Sequence, residues 1–123
     1  MAQKKSGETT MTRILVLESE LRLRHSLKTI LESAGYEVDV ADDGVDALSR
    51  HARRPADLLI ADGHVSPAGF SGTRVLAVPG GGACEAVKGT DITHFLPKPF
   101  GREDLLAAVR VSLGAAPPIP TTR

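Results

Sequence analysis

Residues 55–67, Pro-Ala-Asp-Leu-Leu-Ile-Ala-Asp-Gly-His-Val-Ser-Pro, are the stretch whose reading decides the fold. Its centre, Leu58 to Ala61, is a continuous apolar run entered from Pro55 and left at Asp62-Gly63. A run that short, rich in branched side chains and bounded by turn residues, predicts a strand buried on both faces. Strands of that kind belong to parallel sheets with helices on either side. In such open sheets ligands and chemistry sit beyond the carboxyl ends of the strands. Asp62 stands at that end of its strand.

Toward the N-terminus, Arg13 to Leu17 reads as a first strand, with Glu18-Ser19-Glu20 at its carboxyl end. Ser19 is expected to cap the following helix, in which Leu23, Leu27, Ile30, Leu31 and Ala34 recur at helical spacing and which Gly35 ends. Tyr36 to Val40 is a second strand, and Asp42 or Asp43 opens a second helix with Val45, Leu48 and Ala52 inward. Toward the C-terminus, residues 63–73 carry no helical period and are crowded with Gly, Ser and Pro. Val75 to Val78 is a fourth strand, stopped by Pro79 and three glycines, and a short helix is expected over 83–88. Thr93 to Leu96 is a fifth strand. Gly101 or Arg102 opens a last helix that buries Leu105, Leu106, Val109 and Leu113 and closes at Gly114.

Strands alternating with helices predict one α/β domain with right-handed crossovers. It is a flavodoxin-like three-layer sandwich whose parallel five-stranded sheet runs in the order 2-1-3-4-5, with a loop in place of a helix between strands 3 and 4. The domain is expected over residues 12–114, between a flexible tail at 1–11 and a flexible Pro-rich tail at 115–123. Met1 and Met11 both read as translation starts. Fifteen Lys and Arg against fifteen Asp and Glu leave no net charge, so no nucleic-acid partner is expected. The single Cys84 excludes an intramolecular disulfide and suits a reducing compartment. No apolar run approaches the ~20 residues of a membrane span. The expectation is a cytoplasmic protein. His25 and His51, on helices beside charged neighbours, are expected to face solvent.

Glu18 and Glu20 follow strand 1, Asp62 ends strand 3, and Lys98 follows strand 5. In the expected order strands 1 and 3 are neighbours, so these carboxylates converge. Clustered oxygens suit Mg2+, a hard cation. A lysine over the same crevice can balance the charge of a transferred phosphoryl group. A strand-end Asp-Gly alone also serves as a turn; the matching acids and lysine at other strand ends are what raise it to a site.

With Ile-Leu-Val-Leu-Glu-Ser-Glu at 14–20, Ala-Asp-Leu-Leu-Ile-Ala-Asp at 56–62 and Phe-Leu-Pro-Lys-Pro-Phe at 95–100, the chain resembles a response-regulator receiver domain of two-component signalling over residues 12–113. The resemblance implies a single-domain response regulator of a phosphorelay, and not an enzyme. Asp62 would accept a phosphoryl group from a histidine kinase, and Lys98 would contact the phosphoryl oxygens. Glu18, Asp62 and the backbone carbonyl of His64 would hold Mg2+, with Glu20 a further candidate ligand. Phe95 would be the aromatic switch, and Lys98-Pro99 a cis peptide. Output would pass through a downstream protein partner.

The departures from the family pattern are specific. Ser19 stands where the second acid of the metal pair belongs, and Glu18 replaces the more usual aspartate. Ala77, Val78 and Pro79 bring no hydroxyl to the end of strand 4, and Pro67 lies one residue later than usual. Weakened Mg2+ binding and slow phosphorylation are therefore expected. The alternative is a pseudo-receiver, a phosphorylation-independent protein-interaction module. The short connection between strands 3 and 4 is also expected to leave an apolar face that meets Phe70, a flattened loop or another molecule, as in a homodimer, or a partner docking, through the face left open by the missing third helix.

Overall fold

Along the central strands, odd-numbered side chains point to one side of the sheet and even-numbered ones to the other, and both sets are apolar. That alternation dictates two cores. In the computed structural model, which describes residues 11–61, 70, 73–78 and 92–114, Ile14, Val16, Leu58, Ile60, Leu76 and Val78 form one of them. Leu15, Leu17, Leu59, Ala61 and Val75 belong to the other. The elements are β1 (Arg13–Leu17), α1 (Leu21–Ser33), β2 (Glu37–Ala41), α2 (Gly44–Arg53), β3 (Leu58–Ala61), β4 (Arg74–Ala77), β5 (Ile92–Phe95) and α3 (Arg102–Ser112). The sheet is parallel throughout, in the order β2-β1-β3-β4-β5, as the sequence predicts. Each expected strand is present, shifted by at most one residue at an end. The tails expected at 1–11 and 115–123 lie, apart from Met11, outside the described residues, as do the helix expected over 83–88 and all of the 63–73 loop except Phe70 and Thr73.

Leu27 and Leu31 of α1 and Leu105 and Val109 of α3 cover the first face of the sheet. Ala47 of α2, with Phe70, covers the second. The inward face of α2 is rotated from the expected one. Val45 is 79 % exposed, Ala52 is exposed, and the inner stripe is Ala47, Leu48 and His51 instead. A small residue at 47 lets the helix approach the sheet, and His51 can turn inward because both its ring nitrogens find partners, so it is not the solvent-facing residue its charged neighbours suggest.

The helix ends follow local chemistry. Asp43 caps α2 by accepting from the Asp46 N–H at 2.8 Å. Glu20, not Ser19, caps α1: its carboxylate accepts from Leu23 N at 2.8 Å and Arg22 N at 3.3 Å. The longer acid one residue later reaches the same orphan donors and adds a charge at the positive end of the helix. After α1, Gly35 takes φ +99°, the left-handed conformation that closes the helix. Gly35→Ala is expected to cost about 1 kcal/mol, since open space surrounds the added methyl and only the backbone is strained. Urea denaturation measures it.

The N-terminal edge of the sheet is tied by Arg13. Its guanidinium pairs with Glu37 and Asp39 of β2 at 3.0 Å each, and its Nε donates to Arg54 O at 3.1 Å. This binds the edge strand β2 to β1 from the side opposite the candidate site.

Of the ways expected to cover the apolar face over β3 and β4, the structure shows Phe70. Leu59, Ala61, Val75 and Ala77 are all fully buried within the single chain. Phe70 is 3 % exposed and packs into that face beside them. This one large aromatic side chain supplies apolar area to the face from the β3–β4 connection.

Candidate functional site at the carboxyl edge of the sheet

The register brings the strand ends level. Leu17 of β1 pairs with Ala61 of β3, Ala61 with Ala77 of β4, and Ala77 with Phe95 of β5. The ladder runs one step further at Glu18 N to Ala41 O (3.1 Å), Val78 N to Ala61 O (2.8 Å) and Leu96 N to Ala77 O (2.8 Å). Adjacent strands lie about 4.8 Å apart, so residues following these ends share one edge.

On that edge Glu18 is buried, 2 % exposed, because it leaves β1 before the chain has turned outward into α1. Its Oε1 receives the Lys98 ammonium at 3.3 Å, across a sequence separation of 80 residues. Its Oε2 accepts the Glu20 N–H at 3.1 Å. Lys98 is 28 % exposed and precedes a cis Lys98-Pro99 peptide. Arg24 of α1 donates to the carbonyls of Glu18 (2.9 Å) and Ser19 (3.5 Å), fixing the backbone of the β1–α1 turn. Sequence reasoning missed Arg24; its signal would have been its place one helical turn after the Glu20 cap.

Glu18 and Lys98 are thus brought together. Glu20 lies beside them in the chain with its carboxylate turned to the α1 cap. Phe95 ends β5. Ala77 and Val78 are buried and bring no hydroxyl to the end of β4. Asp62, which follows Ala61, and His64 lie outside the described residues. Among the described residues no group of three His, Cys, Asp or Glu side chains could hold a metal. The hard oxygens of Glu18 and Asp62 suit Mg2+ chemically, but with Ser19 they make one carboxylate fewer than the family's usual set.

A doubly wound parallel sheet with a buried acid and a lysine joined at its carboxyl edge defines the class: an α/β domain with its chemistry at the strand ends. No family model matches the chain. Response regulator MprA of Mycobacterium leprae (strain TN) is 34% identical over 120 residues, covering 86% of this chain and 53% of that protein. Response regulator MprA of Mycobacterium avium (strain 104) is also 34% identical with the same coverage. The chain spans about half the length of the curated relatives it matches. Among solved structures, a CheY-like receiver domain protein of Methanospirillum hungatei JF-1 has TM-score 0.75 at 23% identity, over 85% of this chain and 95% of that one. Chemotaxis protein CheY4 of Vibrio cholerae has TM-score 0.72 at 23% identity, over 84% and 99%. Over most of its length the chain is thus similar to response regulators, and its fold is that of the CheY-like receiver domains. No helix among the described residues is long and apolar enough to cross a membrane.

Proposed function

We propose that this domain is an atypical response regulator of a cytoplasmic phosphorelay, in which Asp62 accepts a phosphoryl group from a histidine kinase. A carboxylate oxygen of Asp62 attacks phosphorus, the phosphorus–nitrogen bond of the phosphohistidine breaks, and an acyl phosphate forms. The observation that supports this reading is the Lys98–Glu18 contact at the strand edge from which Asp62 continues. An ammonium held there by one buried carboxylate can transfer its hydrogen bond to a phosphoryl oxygen when one arrives. Glu18, Asp62 and the His64 carbonyl would hold Mg2+, which when bound neutralises charge on the phosphoryl oxygens. Glu20 serves the helix cap first, so it would join the set only by giving up that bond. Phe95 at the end of β5 would read the modified state, and output would pass by contact to a downstream protein partner.

A second reading is favoured by Ala77 and Val78, which bring no hydroxyl to couple a phosphoryl group to Phe95. In that reading the domain is a pseudo-receiver that works by protein contact alone. The two are separated by incubating the chain with Mg2+ and acetyl phosphate and following intact mass. The phosphorelay reading expects the gain of one hydroxylamine-labile phosphoryl group, lost in Asp62→Asn. No gain in the wild-type chain, with the fold intact by NMR, would leave the pseudo-receiver.

A further inference from the structure

His51 sits near the end of α2, on the opposite side of the sheet from α1 and α3, and it is fully engaged. Its Nδ1 accepts the Ala56 N–H at 3.1 Å. That acceptor role fixes the neutral tautomer with its proton on Nε2, and Nε2 then donates to Thr73 Oγ1 at 3.2 Å. The ring also packs against Phe70, with centroids 5.0 Å apart and planes inclined at 44°. One imidazole therefore holds three points, among them both described residues of the β3–β4 connection, the segment that follows Asp62 in the chain.

Protonation cannot keep this arrangement. An imidazolium carries a proton on Nδ1 as well, so two N–H groups would face each other at Ala56. The charged groups around the ring also disfavour it. Arg13 of β1 acts on His51 as a like charge, and Arg50 of α2 and Arg54, the residue that follows the helix, are close to it in the chain. The acids of β2 give no relief, because Glu37 is paired with Arg13 and Arg54, and Asp39 with Arg13 and Arg50. Burial first, and Arg13 second, hold the His51 pKa below the ordinary histidine value.

We propose that His51 is a pH-sensitive latch: the neutral ring pins Phe70 and Thr73 onto α2, and protonation releases them, uncovering part of the β3–β4 face. The sign follows from linkage. The released or unfolded chain takes up the proton near pH ~6.5, the folded chain at lower pH. The latch is therefore fully closed above pH ~6.5 and weakens as pH falls through the window down to the folded value. This inference does not depend on phosphoryl transfer to Asp62.

The test is a pH titration of the full chain by NMR. Ring nitrogen shifts of His51 should report the Nε2–H tautomer at pH 8 and a midpoint below ~6.5, and the amides of Ala56, Phe70 and Thr73 should move with that same midpoint. In His51→Asn the amide oxygen can still accept from Ala56 N, and the coordinated movement of residues 70 and 73 should vanish. A His51 that titrates without moving Phe70 and Thr73, or the same transition persisting in His51→Asn, would overturn the latch. If the variant does not fold, the wild-type titration decides alone.

Discussion

Methionine in place of Lys98 is expected to slow phosphoryl uptake from acetyl phosphate by about 10²-fold, the usual scale for losing one donor aimed at a developing negative charge. Methionine fills similar space, so the effect isolates the ammonium. The same change should tighten Mg2+ binding, because Glu18 loses the cation that now occupies its Oε1. A slower reaction with a better-held metal is the distinguishing result. The fold should also lose stability. Removing one partner of a fully buried ion pair costs ~3–5 kcal/mol. Lys98 is 28 % exposed, so water reaches it and the expected loss is nearer ~2 kcal/mol. Part of that loss should return on adding Mg2+, which binds only the folded site. Uptake rates followed by intact mass and denaturant titrations with and without Mg2+ make the measurement. Unchanged uptake and unchanged metal affinity would reduce Lys98 to a lysine in a tight turn.

Phe70→Ala is expected to be the most destabilising single change away from the site. Truncating a buried phenylalanine removes about 3–5 kcal/mol through lost transfer energy and the cavity left behind. For a domain of this size that is a fall of about 10–20 °C in melting temperature. The face it covers contains Leu59, Ala61 and Val75, all fully buried, and α2 offers mainly the small Ala47 to that core. Val45→Ala, on the same side of the sheet but 79 % exposed, should change stability by less than ~0.5 kcal/mol. Calorimetry on the pair tests the closure of the face directly. A Phe70→Ala melting temperature within a few degrees of wild type would mean that other groups cover the face.

The three central strands were legible because each holds a short continuous apolar run, Ile14 to Leu17, Leu58 to Ala61 and Val75 to Val78, a pattern set by two-sided burial and readable without tertiary knowledge. Their order was legible because right-handed crossovers of limited length leave few arrangements of five parallel strands. Glu18 and Lys98 were legible as strand-end residues, and a sheet in that order brings strand ends together whatever lies between them. The cap of α1 was misassigned because Ser19 and Glu20 are both acceptable caps, and only the exit angle of β1 decides which carboxylate or hydroxyl faces the free N–H groups. The inner face of α2 was misassigned because Val45, Leu48 and Ala52 form as good a helical stripe as Ala47, Leu48 and His51. A ten-residue helix with few apolar side chains does not state its own orientation.

By itself, then, the sequence determined the doubly wound architecture and the strand order, from local periodicity and chain connectivity, and with them the placing of Glu18 and Lys98 at strand ends on one edge of the sheet. Tertiary structure alone decided three things: that the buried Glu18 carboxylate pairs with Lys98, that Phe70 closes the face under the short β3–β4 connection, and that His51 binds that connection through both ring nitrogens. Each depends on contacts between residues far apart in the chain, 80 positions for the first and 22 for the His51–Thr73 bond. Contacts of that kind are fixed by the free energy of packing the whole domain, which no local pattern encodes.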